Sequence, residues 1–432
     1  MIAFGSLLLA LAVAPAQGRL PDWSAFPGDG AVSANSEHVH DPTVVQIGGR
    51  WFCFSTSGDG FGVVRTSKDL KAWTVLGPLL KEQPEWLKAR YKHRSIWAPD
   101  ILVLGDKVRA YYCASEFGRN KSVIGMAECA HFDPAKPLEG WEDKGLVIES
   151  VPDKDTFNAI DPETLVDATG RQWLYFGSYF AGLYVVELDP ATGKLLHPDK
   201  PELIRTAQNT DERGNPLEGS AVCRRGDDYY LFVSYGLAAQ GVRSTYRVMV
   251  GRSKSPSGPF LDAQGRSMAE GGHVEMLKGS PPMFSPGHTD ILQAKDGRWL
   301  MPYHFYDARS YWGREWGLPR LQIREVLWSP EGWPLPGLPV EFPHPSGPAK
   351  SMRSGQWTVQ TDFGEPGIVR WNPDGTLTDG DKRGSWLLAG EKLTLRLPGS
   401  PSSTILQAAY AGTYAVGRDA KGHVVRVIWS GR

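Results

Sequence analysis

Residues 161–188 read DPETLVDATGRQWLYFGSYFAGLYVVEL. An acidic residue and a proline open the stretch. A short apolar run follows, then a glycine-containing turn (ATGR), an aromatic strand (QWLYFGSY) and a second apolar strand (GLYVVEL). Alternating, β-branched and aromatic runs separated by tight turns mark antiparallel strands joined as hairpins. The same order recurs upstream and downstream. One copy runs from Asp41 through TVVQI, the turn GGR, WFCFS and GVVRTS; the next from Asp100 through ILVL, GDK, VRAYYCAS and SVIGMAEC. Beyond residue 188, Glu218 precedes SAVCR, RGDD, YYLFVSY and YRVMVGRS, and His288 precedes DILQA, KDGR, WLMPYHFY and LQIREVLW.

A period of roughly sixty residues suits a four-stranded blade. The fourth strand is marked by WTVL in the first copy and WEDKGLV in the second. One blade cannot cover its own faces, whereas five around an axis cover each other. The pattern therefore predicts an all-β chain, with a five-bladed β-propeller over residues 35–340. The Pro-, Gly- and Ser-rich stretch FPHPSGPAKSMRSG then reads as a linker. New short strands from Gln356 onward (QWTVQTDF, GIVRW, GSWLL, KLTLRL, VVRVIW) predict a small antiparallel barrel or sandwich over residues 355–432.

Composition narrows the function. The 432 residues carry a formal net charge of -1, so nothing offers the basic surface that a nucleic-acid partner requires. The 16 Trp, 15 Tyr and 16 Phe suit a neutral polymer, because flat apolar rings stack on sugar faces, although most such rings serve a core. Residues 1–17 are expected to be a signal peptide. An apolar run, Ile2–Val13, leads to Ala14-Pro15-Ala16 and is too short to span a bilayer. The expected product is a secreted or periplasmic protein, not membrane-bound and monomeric. The four cysteines show no C-x-x-C pair and read as buried thiols, with a Cys53–Cys113 bridge left open.

Asp41, Asp100, Asp161, Glu218 and His288 each stand at the head of a repeat. First strands line the axis of a propeller, so equivalent positions are expected to form a ring at one mouth of the channel. Crowded carboxyls raise at least one pKa. A protonated carboxylic acid beside an ionised carboxylate is the pair used in glycosidic cleavage. A single Asp-Pro reads best as a strand cap; four acids and a histidine in register favour chemistry.

At these residues the sequence resembles glycoside hydrolase family 43, most closely its two-domain arabinan endo-1,5-α-L-arabinosidases. The matching segments are VHDPTVV, SIWAPDILV, NAIDPETLVD, EGSAV, STYRVMVGRSKSPSGPF and SPGHTDIL. The resemblance implies an inverting glycosidase acting on arabinan in plant cell-wall breakdown. Asp41 would be the general base, Glu218 the general acid and Asp161 the carboxylate that tunes and orients the acid. It implies that His288 stands near a metal ion, usually calcium, held mainly through waters. Asp100 is expected at the channel rim, counted among the substrate-binding residues although with a largely structural role. Trp97 and Phe117 would contact sugar rings, and Tyr179 and Phe180 join them as stacking candidates on rim loops. Inversion requires the base and acid to stand roughly 6.5–9.5 Å apart. The alternatives are an exo-acting arabinofuranosidase or β-xylosidase on the same fold, and a carbohydrate-binding propeller without catalysis.

Overall fold

In the computed structural model, which describes residues 25–56, 60–91, 95–312 and 315–431, the repeats form five antiparallel sheets, four of them four-stranded and the fifth five-stranded because its first strand is broken in two. The expected signal peptide lies outside the described residues. Each blade takes consecutive strands in order. Their first strands are His40–Ile47, Trp97–Leu104, Glu163–Val166 and Leu217–Arg225, and in the fifth blade the broken pair Met283–Gly287 and Leu292–Gln293. Contacts between the first strands of blades 1, 2, 3 and 4 put these strands at the axis.

The two-residue period of a strand explains how blades pack. Phe52 and Phe54 in blade 1 pack with blade 2, while their neighbours Trp51 and Cys53 pack with blade 5. Tyr112 faces blade 1 and Tyr111 faces blade 3. Both sides of each sheet are thus apolar and buried, which is why the strands read as near-continuous hydrophobic runs. Cys53, Cys113, Cys129 and Cys223 are all free and buried, so no Cys53–Cys113 bridge forms.

Every first strand carries the same irregularity. It advances three residues while its partner advances two: His40 to Thr43 against Thr56 to Phe54, Trp97 to Asp100 against Cys113 to Tyr111, and Glu218 to Ala221 against Ser234 to Phe232. In blades 3 and 5 the same step runs from Ile160 to Glu163 and from Gly287 to Asp290. Such bulges bend a strand and re-aim a side chain. The second residue of each bulge is left-handed: Asp41 (φ 53°), Ala98 (41°), Asp161 (55°), Gly219 (62°) and His288 (44°).

This corrects the expected ring. The equivalent residues are Asp41, Ala98, Asp161, Gly219 and His288. Glu218 stands one residue earlier, and Asp100 two residues later. The prolines mark the true phase, because Pro42, Pro99 and Pro162 all follow the left-handed residue.

The last residue of each bulge joins its blade to the next. Thr43 Oγ1 donates to the Pro99 carbonyl (2.8 Å), and Thr164 Oγ1 donates to Asp100 Oδ2. The Val222 N–H donates to Glu163 Oε1 (2.9 Å), and the Val44 N–H donates to Asp290 Oδ2 (2.8 Å). These contacts staple blades 1 to 2, 2 to 3, 3 to 4 and 5 to 1. In blade 4 the position is Ala221, which has no polar side chain to offer.

Residues 355–431 close into an eight-stranded antiparallel barrel in which the first strand, Gly355–Thr361, pairs with the last, Val424–Gly431. A buried clasp fixes the barrel to the propeller. Asp29, from the segment before blade 1, accepts from Arg324 of blade 5 (3.0 Å) and from Arg426 of the barrel (2.7 Å). Arg426 also donates to Gln360 (2.8 Å) and lies over the rings of Phe26 and Phe363. Burial pushes the Asp29 carboxyl up, but the two guanidiniums outweigh it and hold it below the ordinary range. Among the described residues, no helix is long and apolar enough to cross a membrane.

Candidate active site

The bulges open onto a cleft of about 930 Å³ at the propeller axis. Asp41, Asp161, Glu218 and His288 all line it. So do the four expected aromatics, Trp97, Phe117, Tyr179 and Phe180. Phe117 is 88% exposed and Phe180 44%, which leaves ring faces free for a ligand. The Asn215 side chain holds the second of these loops by donating to the Phe180 carbonyl (2.9 Å). Asp100 does not reach the cleft: it is buried in the stapling layer beneath the rim and takes its hydrogen bond from Thr164.

Asp41 is fixed from both sides. Thr56 Oγ1 donates to its Oδ2 (2.5 Å), and the same hydroxyl accepts from the Ala98 N–H (2.8 Å). His288 Nδ1 stands 2.9 Å from its Oδ1. The Asp41 N–H donates to His304 Nδ1 (3.2 Å). Burial works against the charged carboxylate. The nearby His288 charge and hydrogen bond, helped by His304 and His40, overcome it and hold Asp41 well below the usual carboxylate range. His288 responds in kind. Burial lowers it, but Asp41 first and Asp161 next raise it to about 9. Buried His304, by contrast, is pushed well below the ordinary histidine range, with the His40 charge adding to the effect.

Asp161 and Glu218 take the opposite direction. Burial pushes Asp161 well above the ordinary range, and the Glu218 and Asp41 charges add to this against the pull of His288. The Gly219 N–H donates to Asp161, which ties this carboxyl to the residue next to Glu218. Burial also raises Glu218, opposed by hydrogen bonds from Tyr246 and Ser178. The cleft therefore brings together one carboxyl held toward its ionised form, Asp41, and two, Asp161 and Glu218, pushed toward their protonated forms. Opposed shifts of this kind are what a base and an acid built from the same functional group require.

Five residues of this site carried no signal at the heads of the repeats: Thr56, Ser178, Tyr246, His304 and the His40 of the VHDP segment. His40 stands next to Asp41 and could have been singled out; the others come from second strands and loops, where the repeat holds no fixed residue type. Tyr246 falls within the segment STYRVMVGRS, but only as its edge.

The sequence of residues 35–334 matches the family model for glycosyl hydrolases family 43. The chain belongs to this family. An extracellular exo-α-(1→5)-L-arabinofuranosidase of Cellvibrio japonicus is 36% identical over 70% of this chain and 88% of its own length. An extracellular endo-α-(1→5)-L-arabinanase of Bacillus subtilis is 35% identical over 72% of this chain and 92% of its own. Among solved structures, a Cellvibrio cellulosa α-L-arabinanase complexed with arabinohexaose superposes with a TM-score of 0.63 at 34% identity, covering 69% of this chain and 95% of that one. An endo-1,5-α-L-arabinanase of Thermotoga petrophila covers 93% of this chain with a TM-score of 0.74. At 23% identity it speaks for the fold alone, barrel included.

In this family 43 chain, Asp41, Asp161 and Glu218 are gathered in one cleft. Its fit to a metal is narrower. Among the described residues, the donor atoms that converge closely enough to grip an ion directly belong to His40, Asp41 and His304. Two imidazoles and one carboxylate are too poor in oxygen for a calcium cage. His288 is not among these converging donors, so a calcium ion beside it would depend on water ligands.

Proposed function

We propose that this chain is an inverting arabinanase that cleaves α-1,5-L-arabinofuranosidic bonds within arabinan, in plant cell-wall breakdown. The observation that carries the reading is the gathering of Asp41, Asp161 and Glu218 in one cleft rimmed by aromatic rings, with Asp41 shifted toward its ionised form and the other two away from theirs. Glu218 gives its proton to the glycosidic oxygen as the bond from that oxygen to the anomeric carbon breaks. Asp41 takes a proton from the water whose oxygen attacks that carbon from the opposite face. Both products leave neutral, and solvent returns the proton from Asp41 to Glu218. Asp161 keeps the acid's proton on the enzyme until the bond breaks. Trp97, Phe117, Tyr179 and Phe180 offer rings to sugars on either side.

Endo action is supported by the endo-acting relatives and by a cleft walled by loops of several blades. The Cellvibrio relative named as an exo-enzyme favours a second reading, release of short products from chain ends. Sizing the products of linear arabinan decides between them. Early mixed oligomers support internal cleavage; a single short product from the first minutes sinks it. Binding without any cleavage would sink both.

A calcium ion near His288, held through waters by His288, Asp41 and Asp161, would supply positive charge that keeps Asp41 ionised. Metal analysis of the purified protein, and loss of thermal stability on chelation, test this. Secretion, supported by the extracellular relatives and the apolar N-terminus, is tested by amino-terminal sequencing of exported protein. A monomer is expected on size exclusion with light scattering.

A further inference from the structure

Glu218 is gripped at both oxygens. Ser178 Oγ donates to Oε2 (2.7 Å), and the Tyr246 hydroxyl donates to Oε1 in a short hydrogen bond. The two donors differ in rigidity. A serine hydroxyl on a one-carbon stem can turn to accept instead of donate. Tyr246 is held on every side. Its N–H donates to Ser285 Oγ (2.6 Å), its ring leans on His304 (centroids 5.8 Å apart), and it is only 3% exposed. Its place is carved by glycine: a Cβ on Gly287 would lie 2.4 Å from the Tyr246 ring. Gly287 belongs to the same PGH segment that presents His288, so one turn both aims the histidine and makes room for the tyrosine.

We propose that Tyr246 is a positioning residue for the general acid, whose hydroxyl stabilises the Glu218 carboxylate as the proton departs to the leaving oxygen. The inference rests on Glu218 being that acid. The Glu218 O–H bond breaks, the proton joins the glycosidic oxygen, and the electron pair stays on the carboxylate, where the fixed phenol donates to it. A bond to a developing charge is stronger than the same bond to the neutral acid, so it lowers the barrier and not merely the ground state. The direction agrees with its effect on Glu218, which this bond pulls back toward an ordinary acid.

The test is leaving-group dependence. A poor leaving group, the sugar alkoxide of arabinan, needs the proton; an activated nitrophenolate departs largely without it. Tyr246→Phe keeps the ring and removes the hydroxyl. We expect kcat on arabinan to fall on the order of 10–100-fold, the size of a hydrogen bond to a charged group. On a dinitrophenyl arabinofuranoside the fall should stay within about threefold, because proton donation contributes little there. Equal losses on both substrates overturn the proposal and assign Tyr246 a packing role. If the variant folds poorly, 3-fluorotyrosine at position 246 gives a better donor in the same shape. Its arabinan rate should hold or rise, and a fall to the Tyr246→Phe rate also overturns the proposal. Glu218→Gln separates this from the underlying reading. If it loses as much on the activated substrate as on arabinan, Glu218 is not the acid, whatever Tyr246 does.

Discussion

Replacing Arg426 by methionine keeps most of a long stem but removes the guanidinium from the clasp between propeller and barrel. Asp29 is fully buried, and in the variant only Arg324, at 3.0 Å, still faces it. Gln360 Oε1 loses its donor as well, and the cation over Phe26 and Phe363 disappears. Removing one partner of a buried ion pair costs about 3–5 kcal/mol, because the remaining charge is left uncompensated. Arg324 offsets part of this, whereas the orphaned amide oxygen adds to it, so the same range of about 3–5 kcal/mol is expected overall. The measurement is guanidinium unfolding followed by tryptophan fluorescence, at pH 7 and at about pH 3, below the ordinary aspartate value. Asp29 is held below its ordinary value in the folded protein. Its stabilising contribution is therefore present above the unfolded value and is lost as pH falls through the folded one. The gap between wild type and variant should accordingly narrow at low pH. Activity per folded molecule should not change, since no clasp residue lines the cleft. Adding Asp29→Asn to the variant removes the stranded charge and should recover part of the loss. A loss under about 1 kcal/mol, or a double variant no more stable than Arg426→Met, would refute the clasp.

Asp41→Asn and Glu218→Gln should each lower kcat on arabinan on the order of 10²–10⁴-fold with the fold intact by circular dichroism, the usual weight of one proton-transfer group; near-normal turnover removes that residue from the mechanism. Phe117→Ala, at an exposed ring on the cleft, should raise KM for arabinan about two- to tenfold and leave kcat nearly intact, the size of one aromatic contact; initial-rate kinetics check this. Asp100→Asn should raise the melting temperature at pH 8 and change it little at pH 4. Burial pushes Asp100 up to about 6, so the folded state loses stability relative to the unfolded chain as pH rises from about 4 toward 6, and a neutral side chain escapes that loss.

The five blades were legible because strands buried on both faces must be apolar along their whole length, and hairpin turns must carry glycine. Residues 161–188 show both at a glance. The ring of acids was legible only to within a residue or two. Aligning the repeats on their acids put Asp100 in phase with Asp41, whereas aligning them on Pro42, Pro99 and Pro162 gives Ala98 that place. A bulge inserts a residue without changing the composition, so the phase error leaves no trace in the hydrophobic pattern. The clasp was not legible at all. Asp29 and Arg426 lie 397 residues apart, and a lone arginine in the apolar strand VVRVIW does not name its partner. Tyr246 and Ser178 were hidden for a related reason: they reach Glu218 from a loop and from a neighbouring blade, so only the closed ring brings them to it.

The stapling layer has a practical consequence for anyone mapping this enzyme by mutagenesis. Asp100, Glu163 and Asp290 are acidic, deeply buried and close beneath the reacting groups. An alanine survey scored by activity alone will count them as hits and swell the apparent catalytic set from three carboxylates to six. The same survey scored at two temperatures will separate them. Removal of a staple should spare the rate in the cold and abolish it on warming, as blades drift apart, whereas removal of Asp41 or Glu218 is as damaging at either temperature. The seam between blades 4 and 5, where Ala221 provides no staple, is where a newly introduced polar side chain has the most to add in heat tolerance.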